Sequence, residues 1–108
     1  MKTEYHFLAE LQYFKTENGG RKSPAKSGFR PQVRFPFSEK STSGLQNFID
    51  KDLVFPGETI KAEISLLSPH FFLQKLETGM SFNIQEGSKI IGIGRILDIK
   101  NEDLKACI

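Results

Sequence analysis

The chain has 108 residues, which is room for one domain around one core. With 38% hydrophobic and 26% charged residues, ten phenylalanines and no tryptophan, its composition is globular and excludes a disordered chain. The single cysteine, Cys107, excludes an intramolecular disulfide, and a net charge of +2 by itself says nothing about nucleic acid. No apolar run approaches the ~20 residues of a membrane helix. The opening MKTEYHFLAE lacks the unbroken apolar stretch of a signal peptide, so the expectation is a cytoplasmic protein with no membrane contact.

The dominant hydrophobic period is two. In YHFLAELQYF one face carries Tyr5, Phe7, Ala9, Leu11 and Tyr13, and His6 falls on the polar side. Asn18-Gly19-Gly20 is a turn signal. Residues 15–34 then hold Lys15, Arg21, Lys22, Lys26, Arg30 and Arg34 against one acid, Glu17. That is a local balance of +5, so the remainder of a +2 chain sums to −3. Two accounts fit this segment: a site for a polyanion, or a solvated loop whose charge serves solubility. In FRPQVRFPF, Phe29, Val33, Phe35 and Phe37 alternate with Arg30, Gln32, Arg34 and Pro36. Because proline has no N–H, the strand is expected to bulge or lie at an edge at Pro36.

Residues 38–53 are polar and weakly patterned, with at most a short strand over residues 45–49. Phe55-Pro56-Gly57-Glu58 is a second turn, followed by a strand with Ile60, Ala62, Ile64 and Leu66 on one face. Residues 69–79 read as a long loop, with Phe71, Phe72 and Leu73 placed to plug a barrel end. Met80, Phe82 and Ile84 alternate with Ser81, Asn83 and Gln85, and Glu86-Gly87-Ser88-Lys89 links this run to the next as a hairpin. The last run, KIIGIGRILDI, is apolar on both faces, which implies cover on both sides or a sticky outer patch. No segment has helical periodicity. Five or six strands with no helix predict an all-β domain over 1–108, a closed barrel or a sandwich, with residues 100–108 as a C-terminal tail.

Catalytic motifs are missing. Gly87 and Gly92 have the spacing of a phosphate-binding loop, but Ile93 follows where lysine is needed. Gly92 and Gly94 begin a dinucleotide fingerprint that fails at Leu97, so these glycines are better explained by close backbone approach. His6, His70 and Cys107 form no recognised metal spacing, and no acid pair suits acid–base chemistry. A binding module without catalytic residues, cofactor or metal is expected.

Three stretches carry a resemblance. GGRKSPAKSGFRPQVRF resembles the GGR…P…GYRPQFYF stretch of elongation factor Tu, LVFPGETIKAEISLLSP resembles its MVMPGDNIK…LI.P stretch, and MSFNIQEGSKIIGIGRI resembles its LRFAIREGGRTVGAGVV stretch. Their order and approximate spacing match the factor's third, C-terminal domain over about residues 5–99. The resemblance implies a six-stranded antiparallel Greek-key β-barrel, as a single domain without the GTPase domain and second barrel, and so without GTP binding. It implies translation elongation as the setting. The implied partners are the T-stem of aminoacyl-tRNA, a GTPase domain or another translation protein. By position, Gln32 and Gly87 match T-stem contacts, Glu86 the acid that tunes affinity, Lys89 the arginine of the EGGR turn, and Ser43 a contacting threonine. Arg21, Lys22, Lys26, Arg30 and Arg34 form the expected basic, partner-binding patch. The chain departs from the family at Ser68, where a basic residue is usual, at Pro36 in place of arginine, and at Arg34 in place of tyrosine. It also has a longer loop over 69–79. These departures leave a second implied reading, a barrel reused as a regulatory protein–protein module with no RNA binding.

Overall fold

A computed structural model describes residues 5–38 and 41–106 of the chain. The strands are β1 (Phe7–Tyr13), β2 (Ala25–Lys26), β3 (Gln32–Arg34), β4 (Ser41–Phe48), β5 (Leu53–Val54), β6 (Thr59–Leu66), β7 (Ser81–Glu86) and β8 (Lys89–Ile99). Six of them close an antiparallel barrel in the order β1-β6-β4-β3-β7-β8, and β2 and β5 form a separate two-stranded ribbon. β7 returns beside β3 after the consecutive β3, β4 and β6, and β1 lies beside β6, so two Greek keys overlap. Closure leaves no long open sheet edge. The expected six-stranded Greek-key barrel is therefore the fold, and no α-helix occurs among the described residues.

The alternation works as the sequence implies in β1, β6 and β7. Phe7, Ala9 and Leu11, then Ala62 and Ile64, then Phe82 and Ile84 are buried inside. The centre is aromatic: Phe35 lies 6.2 Å from Phe7, 5.3 Å from Phe82 and 5.1 Å from Phe72, in edge-on or tilted contacts. Each buried ring contributes about 1.5–3 kcal/mol by area, and such pairs add about 0.5–1.5 kcal/mol.

β8 reads as apolar on both faces because it changes phase twice. Ile84 opposes Gly92 while Gln85 opposes Ile90, leaving Ile91 as an extra residue. Leu8 opposes Asp98 while Ala9 opposes Ile96, leaving Leu97 extra. These bulges let Ile91, Ile96 and Ile99 all point inward. Ile90 and Ile93 remain exposed, so the outer patch is real. Gly92 and Gly94 allow close approach: a Cβ at Gly94 would lie 2.2 Å from the Phe82 ring, and one at Gly92 2.7 Å from the Gln12 carbonyl oxygen.

Four expectations are corrected. The strand placed over residues 45–49 is the eight-residue β4, which begins at Ser41; residues 39 and 40 of the weakly patterned segment lie outside the described residues. Its inward positions are Thr42, Gly44, Gln46 and Phe48, three of them small or polar, so hydrophobic alternation cannot reveal it. Pro36 neither bulges a strand nor sits at an edge, because β3 has ended at Arg34 and the chain turns at residues 36–37. In the loop after β6 a 3₁₀ turn, Pro69–Phe72, buries Phe72 completely but leaves Phe71 39% and Leu73 50% exposed; Leu76 supplies the rest of the plug. Finally, residues 100–106 are packed. Lys100 and Asn101 donate to the His6 carbonyl (2.9 and 3.1 Å), Leu76 donates to Leu104 (2.8 Å), and Leu104 is buried. Cys107 lies outside the described residues.

Candidate nucleic-acid interface

Between residues 30 and 35 the chain alternates exposed or half-exposed Arg30, Gln32 and Arg34 with buried Pro31, Val33 and Phe35. The barrel surface over β3 is therefore basic and amide-bearing. Pairing extends this surface sideways. Gln32 stands between Ser43 and Gln85, and Arg34 between Ser41 and Asn83. The Gln32 side-chain amide donates to the Ser43 hydroxyl at 3.3 Å. Two of the expected RNA-contacting residues are thus direct cross-strand neighbours.

The other three meet at the β7–β8 hairpin. Glu86 opposes Lys89 across a turn in which Gly87 has φ +60°, a left-handed conformation that glycine adopts without penalty. The loop before β2 folds over this turn. Thr16–Asn18 makes one 3₁₀ turn, Gly19 reverses the chain at φ +94°, and Gly20 and Arg21 reach the hairpin. Lys89 donates to the Gly20 carbonyl at 3.1 Å. Arg21 pairs with Glu86 and lies over the Phe29 ring, 4.6 Å from its centroid. Arg21 and Glu86, expected as separate contributors, are thus partners of each other. A buried-stem, half-exposed pair of this kind contributes about 0–1 kcal/mol, so its main effect is to mask one cation with one acid.

Arg30 and Arg34 have no acidic partner among the described residues, and both project from the β3 surface. Lys22 is exposed in the loop beside Arg21. Lys26 stands apart, on the ribbon opposite Leu53. The structure therefore gathers Arg21, Arg30, Gln32, Arg34, Ser43, Glu86, Gly87 and Lys89 and leaves Lys26 out. It adds Ser81, Asn83 and Gln85, which the alternation in MSFNIQ already set on the outer face, as well as Ser41, which pairs with Arg34, and Arg95, which opposes Ser81. Hydroxyls, amides and guanidinium groups on a rigid sheet suit the shallow groove and backbone of duplex RNA.

Elsewhere, His6 is not an ordinary surface residue: its Nδ1 accepts the Leu66 N–H at 2.8 Å, and burial lowers its pKa below 6.5. His70 is exposed and packs on Phe71 at 4.4 Å. Inside the barrel the Tyr13 hydroxyl donates to the Gln46 side-chain carbonyl, and burial pushes the phenol well above its ordinary pKa. Among the described residues no cluster of His, Cys, Asp and Glu is arranged to hold a metal. No helix of the described residues is long and apolar enough to cross a membrane. Compared with known protein families, residues 1–100 match the model for the elongation factor Tu C-terminal domain.

Proposed function

From a chain that belongs to the elongation factor Tu C-terminal domain family, a non-catalytic, translation-factor-like module, we propose a binding role in translation in which the β3 surface receives the stem of a transfer RNA. The observation that carries this is the assembled row of Gln32 and Ser43, flanked by Arg30 and Arg34 with no acid against them among the described residues. Lys89 and Gly87 border the row at the hairpin, and the Arg21–Glu86 pair sets how much positive charge faces outward. Each phosphate neutralised releases counterions, so binding should weaken steeply with salt. Titration with aminoacyl-tRNA at low and at physiological salt tests the reading. Binding is expected at low salt with a steep loss as salt rises, and no binding at either removes the RNA role.

A second reading has its own observation. Leu67 and Leu73 are exposed at the barrel end opposite the hairpin, beside the half-exposed Phe37 and Phe71. That end suits a protein partner, a regulatory protein outside translation. A pull-down separates the two: recovery of translation components supports the first role, and an enriched partner unrelated to translation supports the second.

A further inference from the structure

At the far end of β3 from the hairpin, the β3–β7 ladder stops at the Arg34–Asn83 pair. Carried two residues further, the register would set Pro36 opposite Ser81. Proline has no N–H to give, and the chain turns away at residues 36–37. β7 therefore runs past its neighbour, and a notch of ≈ 390 Å³ opens between them. Its exposed apolar lining is Pro36 and Ile93, and the rings of Phe35 and Phe82 beneath it face the core. Its rim carries Arg34, Ser81 and Asn83.

Among the described residues, Arg34 makes one long side-chain hydrogen bond, from Nε to the Ser38 carbonyl at 3.5 Å, and neither terminal NH₂ group has an acceptor there. The Ser81 hydroxyl and the Asn83 amide likewise have no side-chain partner among the described residues. Among the described residues no acid lines the notch, and Arg95 opposes Ser81 on the adjoining strand. The planar fork of donors can take a carboxylate bidentately, and the exposed Pro36 and Ile93 beside it favour a carboxylate with a greasy substituent over a bare phosphate. The size is that of a small-ligand pocket at the low end of the usual range.

We propose that this notch binds a carboxylate carried on an apolar group of amino-acid size, with the carboxylate on Arg34, its flanking polar atoms on Ser81 and Asn83, and the apolar group against Pro36 and Ile93. Such a ligand comes either as a free acylated amino acid or as the last residue of a peptide. The proposal does not rest on the RNA reading, and its test uses no nucleic acid.

The test is amide-detected NMR titration of the full chain with N-acetyl-phenylalanine, its C-terminal amide, a pentapeptide ending in phenylalanine with a free carboxylate, and inorganic phosphate. Saturable shifts at Arg34, Ser81, Asn83 and Ile93 are expected with the acid. About tenfold weaker binding is expected for the amide and for Arg34→Gln, since each removes the charge-assisted pair. Binding of the peptide tighter than the acetylated amino acid identifies a chain terminus as the source, and equal binding identifies the free acid; both support the site. Acid and amide binding alike, phosphate matching the acid, or shifts absent from the notch would each overturn it.

Discussion

At the residue scale, two positions have consequences far larger than their size. Gly94 faces the Phe82 ring so closely that a methyl group would lie 2.2 Å from it. Gly94→Ala is therefore expected to cost about 1–3 kcal/mol through overpacking, read as a lower urea midpoint with an unchanged slope. His6 acts through its neutral form, whose Nδ1 accepts the Leu66 N–H. Its pKa is lowered on folding by burial, so protonation favours the unfolded chain. The stability it supplies is present above 6.5 and is lost as pH falls from there through the lowered folded value. Urea midpoints measured downward from neutral pH should fall, and His6→Gln should flatten that dependence; a wild-type midpoint that does not move with pH over this window contradicts the assignment. Neither effect was legible in the sequence, because both depend on what lies across the barrel. The spacing of Gly92 and Gly94 did point to close approach, but not to Phe82 as the neighbour.

At the scale of elements, the loop before β2 and the β7–β8 hairpin are held together by Arg21–Glu86 and Lys89–Gly20, contacts between residues 65 and 69 positions apart. Pattern reading along one chain segment cannot see such a pairing, whereas it saw the outer face of β3 readily. Glu86→Gln should unmask Arg21 and strengthen low-salt binding to a polyanion such as tRNA or heparin, while thermal stability changes by less than about 1 kcal/mol. Weakened binding in that variant would make Glu86 a direct contact rather than a mask. The loop after β6 offers a sharper contrast. Phe72→Ala should cost about 3–5 kcal/mol, whereas Leu73→Ser, half exposed, should stay within about 0.5 kcal/mol. The sequence named both as plug residues because three adjacent apolar side chains carry no record of which one a 3₁₀ turn rotates inward. β4 was hidden for the opposite reason, since its inward face is built from Thr42, Gly44 and Gln46 and depends on neighbours for its place.

At the scale of the whole molecule, alternation alone was enough to show an all-β domain, though not to choose a barrel over a sandwich. The resemblance supplied its order, and the two bulges in β8 were what made that strand unreadable by period. The segment over residues 100–106 shows how much closure depends on parts outside the six strands: Leu104 is fully buried and its carbonyl accepts from Lys75 and Leu76 (3.1 and 2.8 Å). Leu104→Ala should cost about 2–5 kcal/mol and raise amide exchange selectively at residues 74–76; uniform exchange across the barrel would mean the segment is not a local clamp. The same clamp has a further effect. Because the Lys100 and Asn101 amides bond the His6 carbonyl, the start of β1 and the stretch after β8 leave the barrel side by side. A barrel whose residues 6 and 100 adjoin can be spliced at those points into a surface loop of a host protein without stretching either framework.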